Sequence, residues 1–165
     1  MSHGKPKHRH PRRSTAYNLI DSLMASPIDP MPASNSLYQI EQMWRGLASI
    51  RSGASPSIDD WRVCADAANL MESLVMLGHA IDEDGLVKDA VTALALAGKR
   101  SRTGHAIRLD GPGITAVQAV LQDYASALQQ LPARTIIQAH RATEHRIMAI
   151  QRGQAQAHDV EVIAL

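Results

Sequence analysis

Residue types that can do chemistry are sparse in this chain, and the densest group is His140-Arg141-Ala142-Thr143-Glu144-His145. On a helix, His140 and Glu144 lie one turn apart on a shared face, while His145 points elsewhere. The order is neither of the two His/Glu helical patterns, His-Glu-x-x-His and His-x-x-Glu-His, that present a metal ion. A further ligand would have to come from Glu72 or Asn69 on another helix. Metal sites inside helical bundles typically repeat a Glu-x-x-His unit, which this sequence lacks. His140 falls on an apolar helical face with Ile136, Thr143, Ile147 and Ile150. The expectation is therefore a buried histidine hydrogen-bonded to a neighbouring helix, with no metal and no cofactor.

Other reactive constellations fail on spacing. Cys64 is the single cysteine. It falls on an apolar helix face beside Trp61, where burial raises a thiol's pKa and leaves it inert. Asp82-Glu83-Asp84-Gly85 resembles half of a calcium loop, but position 93 is Ala where a bidentate Glu is needed. Arg108-Leu109-Asp110-Gly111-Pro112-Gly113 lacks the Gly-Lys-Ser/Thr ending of a phosphate-binding loop. There is no Gly-x-Ser-x-Gly elbow, so catalysis has nothing concrete to rest on, and the chain is not expected to be an enzyme.

Positive charge is the other chemical resource. Residues 1–13 carry Lys5, Lys7, Arg9, Arg12 and Arg13, five of the chain's 17 Lys+Arg and none of its 16 Asp+Glu. This stretch has no apolar residue after Met1 and reads as a disordered basic tail, suited to phosphate contacts or to solubility alone. A second basic set, Arg134, Arg141, His145 and Arg152 with Gln138, shares one face of a helix. It would make a rail for a nucleic-acid backbone or simply a solvated face. Aromatic residues are 3% of the chain, with no Phe, which weakens any stacking platform for single strands.

These residues must be positioned by helices. The central element is Ser57 to His79. Ser57 and Asp60 form a capping-box pattern, and Asp59 and Asp60 suit the positive end of the helix dipole. Trp61, Cys64, Ala68, Met71 and Val75 make one apolar stripe, and Ala67, Leu70, Leu74 and Leu77 another. Only a narrow polar strip of Arg62, Asp66, Asn69, Glu72 and Ser73 is left. A helix apolar around most of its circumference is sheathed by partners. The spacing predicts an all-α, single-domain bundle of five or six helices around this helix, about 58–79.

Around it, Ser14–Met24 is a short helix with Tyr17, Ile20, Leu23 and Met24 on one side. Pro27, Pro30 and Pro32 make 25–33 an extended connector. A helix capped by Ser34 or Ser36 follows, with Leu37, Ile40, Trp44, Leu47 and Ile50 as its stripe and Gly53 as its stop. An acidic start at 82–85 leads into a helix from Leu86 that frays from Gly98 to Gly104. Asp110 caps a helix facing inward with Ile114, Val117, Leu121, Tyr124, Leu128 and Leu131, which Pro132 ends. The last helix runs from about Ala133 to Arg152. The bundle thus covers 14–153, and 154–165 is a C-terminal tail whose Val160, Val162 and Ile163 suit either a docked short strand or a segment lying on the bundle. No apolar run approaches the length of about 20 residues needed to cross a membrane, so a cytoplasmic protein is expected.

Three segments, Asn69-Leu70-Met71-Glu72, Arg108-Leu109-Asp110-Gly111 and His140-Arg141-Ala142-Thr143-Glu144, resemble stretches of uncharacterised small helical proteins of proteobacterial prophages and other mobile elements. The resemblance implies an accessory gene product and carries no activity across. Their polar residues Asn69, Glu72, Asp110, His140 and Glu144 are expected to form one structural network that fixes helix register. The functional expectation is a non-catalytic regulatory protein that docks on a protein partner through an exposed helix face. A nucleic-acid-associated protein using the basic arm and the Arg134–Arg152 face is the alternative.

Overall fold

A computed structural model describes residues 17–153, and over them the chain forms six helices. They are α1 (Leu19–Met24), α2 (Ala33–Ser52), α3 (Ile58–Met76), α4 (Leu86–Arg102), α5 (Gly111–Gln130) and α6 (Ala133–Gln151). The basic tail at 1–13 and the C-terminal tail at 154–165 lie outside the described residues. Among the described residues there is no β-strand, and no helix is long and apolar enough to cross a membrane. The chain is an all-α bundle.

α3 is its axis, packed against α2, α4, α5 and α6. The Ser57–Asp60 capping box is present in full, with each side chain accepting from the other's backbone N–H. Asp60 also accepts from Ser49 Oγ on α2 at 2.9 Å. The carboxyl sits below its ordinary pKa, chiefly because the Ser57 backbone N–H and hydroxyl bind its charged form. The far end stops earlier than position 79. Gly78 takes φ 76°, and His79 and Gly78 donate back to Leu74 O and Val75 O. This is a Schellman closure, which needs the left-handed backbone that glycine adopts freely.

Trp61, Cys64, Ala68 and Leu74 are buried as expected, but Leu77 is exposed. The polar strip behaves less simply than its composition suggests. Arg62 and Asp66 face solvent, whereas Asn69 and Ser73 are fully buried, at 0% and 1% exposure. α3 is thus enclosed on its polar side too around Asn69 and Ser73, but not at Arg62 and Asp66.

Two glycines set helix spacing. A Cβ on Gly98 would stand 2.6 Å from Trp61 Cζ2. Gly98 is therefore where α4 closes onto Trp61, not where it frays, and α4 continues to Arg102. Trp61 Nε1 donates to Leu94 O at 2.9 Å in the same contact. On α2, a Cβ on Gly46 would lie 2.5 Å from Asp60 O. The buried face of α2 accordingly runs through Met43, Gly46, Leu47 and Ile50, while Leu37 is exposed. α2 has no side-chain cap, because it starts at Ala33, before Ser34 and Ser36 can act as caps. Ser36 bonds instead to Ala33 O.

α1 starts at Leu19, held by an Asn18–Asp21 capping box, and leaves Tyr17 off the helix. The connector after it solves a problem at the start of α6, where Pro132 offers no side-chain cap. Ala133 N donates to Asp29 O at 2.8 Å and Arg134 N to Ser26 O at 3.0 Å. Connector carbonyls thereby take up two of the unpaired N–H groups of the first turn.

Candidate functional site

α6 carries the residues with chemical potential, and the structure divides them into two sites along its length. Toward its C-terminal half, Arg146 reaches across to α3. It pairs with Glu72, donates to Asn69 O and Ser73 Oγ at 3.2 Å each, and touches Met76 Sδ. Thr143 and Ser73 share a hydroxyl contact of 2.6 Å, and Thr143 also donates to Asn69 O. Burial pushes the Glu72 carboxyl above its ordinary pKa, and the charge and hydrogen bond of Arg146 pull it part of the way back. This knot locks the register of α6 on α3. Two positions in it are left over: neither atom of the Asn69 side-chain amide, nor Arg146 Nε, has a hydrogen-bond partner.

The knot corrects the expected polar network. Of its five members, Glu72 enters through its side chain and Asn69 only through its backbone carbonyl. Asp110 is remote from it and caps α5 by accepting from Gly113 N at 2.8 Å. Glu144 is half-buried on α6. His140 belongs to the other site. The residue that organises the knot, Arg146, was not singled out from the sequence. Its signal is present, however: α3 shows Asn69, Glu72 and Ser73 on one face, and a carboxylate on a largely enclosed face calls for a donor opposite.

Toward the N-terminal half of α6, His140 packs edge-on against Tyr17, ring centroids 5.1 Å apart. It is not hydrogen-bonded through Nε2 as expected; that atom is buried without a partner. Burial favours the neutral ring and brings its pKa down to about 4. Tyr124 of α5 lies at 2% exposure, and its hydroxyl also has no partner. Burial raises the Tyr124 pKa, with smaller contributions from Tyr17 and Asp66. Both residues line a cleft of about 310 Å³. Its remaining walls are Tyr38, Gln39, Gln42 and Met43 from α2 and Val63, Asp66, Ala67 and Leu70 from α3.

The basic rail is not continuous. The Arg134 guanidinium turns inward and donates to Leu23 O and Ala25 O at 3.1–3.2 Å, binding α1 to α6. Arg141 is half-buried, and His145 and Arg152 are exposed. Lys5, Lys7, Arg9, Arg12 and Arg13 lie outside the described residues. Cys64 is fully buried, its pKa pushed up to about 12 by burial and then by Asp60, which suits the inert thiol expected. Among the described residues, no three His, Cys, Asp or Glu side chains gather where they could hold a metal ion. His140, Glu144 and Glu72 therefore do not converge as ligands. Comparison with protein-family models, curated proteins and solved structures gives no match for the chain.

Proposed function

We propose that this is a non-catalytic interaction protein that docks on a protein partner through α1. The observation that supports the reading is the exposure of this helix. Leu19, Ile20, Leu23 and Met24 are 58–81% exposed, and Ile28 beyond them is 80% exposed. A helix of six residues does not persist on its own in water. Here the capping box and the Arg134 hydrogen bonds hold it in place with its apolar side outward. Held apolar surface of this kind marks interaction sites. Leu19, Ile20, Leu23 and Met24 are all apolar, so the matching partner presents an apolar groove to a short helix. The reading keeps the accessory, prophage-type origin that the sequence resemblance implies, together with the expected regulatory role and cytoplasmic setting.

The test is an Ile20→Asp, Met24→Asp double variant, compared with the wild-type chain in cross-linking from a lysate of the source cells. The wild-type chain should be monomeric by light scattering. The variant should keep its helical circular dichroism and lose a cross-linked protein that the wild type retains. Identical cross-links from both chains, or a wild-type dimer that the variant splits, would overturn the proposal. The nucleic-acid alternative now rests on the basic arm. It requires DNA or RNA binding that weakens as salt rises and disappears when 1–13 are removed.

A further inference from the structure

The cleft between α2, α3, α5 and α6 is separate from the apolar face of α1 and has the features of a small-molecule site. Its volume of about 310 Å³ lies in the range of ligand pockets. Met43, Val63 and Leu70 give it apolar walls, and Asp66 stands exposed among its lining residues. Two lining residues each carry a buried polar atom without a hydrogen-bond partner among the described residues, Tyr124 OH and His140 Nε2. Buried polar groups are nearly always hydrogen-bonded, and one left without a partner is destabilising. Two such atoms around one cleft point to a polar group supplied from outside.

The chemistry of that group follows from the two atoms. A phenol hydroxyl both donates and accepts. A neutral imidazole nitrogen does one or the other, according to its tautomer. A ligand hydroxyl, itself donor and acceptor, satisfies either assignment, whereas a carbonyl only accepts. An anion would meet Asp66 unfavourably, and an ammonium group, which donates but does not accept, would leave the Tyr124 O–H without an acceptor. We infer that the cleft binds a small neutral ring compound bearing one hydroxyl, with its ring between the apolar side chains and its oxygen hydrogen-bonded by Tyr124 and His140.

Isothermal titration of the full chain with phenol tests this, with toluene as the probe of similar shape that lacks the oxygen. Phenol should bind saturably at one site, about tenfold more tightly than toluene. Tyr124→Phe removes an unpartnered hydroxyl and should fold normally by circular dichroism, yet weaken phenol binding several-fold toward the toluene level, with His140 left as the one remaining bond. No saturable phenol binding at millimolar concentration, equal affinity for phenol and toluene, or undiminished phenol binding by Tyr124→Phe would each overturn the inference. The result is independent of whether α1 docks on a partner, because Ile20 and Met24 do not line the cleft.

Discussion

The two halves of α6 bond their buried polar groups to very different extents. Around Arg146, charge meets charge and hydroxyl meets hydroxyl, and Glu72, Ser73 and Thr143 each have a bond across the helix interface. Around His140, the imidazole and the Tyr124 hydroxyl are buried with no partner at Nε2 or Oη. The first arrangement returns part of its solvation cost in bonds across the interface, although the Asn69 amide and Arg146 Nε there are also buried without a partner, and it works as structure. The second carries its solvation cost with no bond at either of these atoms. The difference teaches that burial of a polar residue says little about its role until its bonding is known.

The sharpest way to break this contrast is at the satisfied end. Arg146→Met leaves Glu72 without its donor in a largely buried place. It should lower unfolding stability by about 3 kcal/mol in a urea titration. A loss near zero would mean the knot is not structural.

The next effect concerns pH. The folded His140 has a pKa of about 4, below the ordinary 6.5, so on acidification the unfolded chain takes up this proton first. Stability should therefore fall as pH drops from 6.5 toward 4, by on the order of 2 to 3 kcal/mol from this residue. His140→Leu should flatten that part of the stability–pH curve, measured by denaturant midpoints at each pH. An unchanged slope would show that His140 is not held neutral by burial.

The smallest effect is expected at Tyr124. Removing a hydroxyl that has no partner should leave stability unchanged or raise it by up to about 1 kcal/mol, the opposite sign to Arg146→Met. A clear destabilisation of Tyr124→Phe in calorimetry would mean the hydroxyl is satisfied and the two halves are alike.

Much of the fold was readable from the chain because its helix ends are written locally. Ser57 with Asp60, Asp110 before Gly111, and Gly53 all act within a few residues of themselves, and each is found where its pattern places it. The readings that failed depend on contacts distant in sequence. Gly98 looked like a helix end until Trp61, 37 positions earlier, is seen to occupy the space a side chain would need. Arg134 looked like part of a solvated rail until connector carbonyls more than 100 residues away are seen to bind it. The functional region was less readable for the same reason. Tyr124 was correctly placed on an inward face, but nothing local shows that its hydroxyl finds no partner. Tyr17 gives no sign that it will leave α1 and meet His140.

The tie between α6 and the segment around α1 has a consequence for the order of events during synthesis. The carbonyls of Leu23 and Ala25 are bound by a side chain lying 109 to 111 residues downstream. As the nascent chain leaves the ribosome, α1 emerges while α6 has yet to be translated, and so short a helix has little to hold it meanwhile. Its apolar side is consequently displayed in a fixed orientation only once α6 has been made.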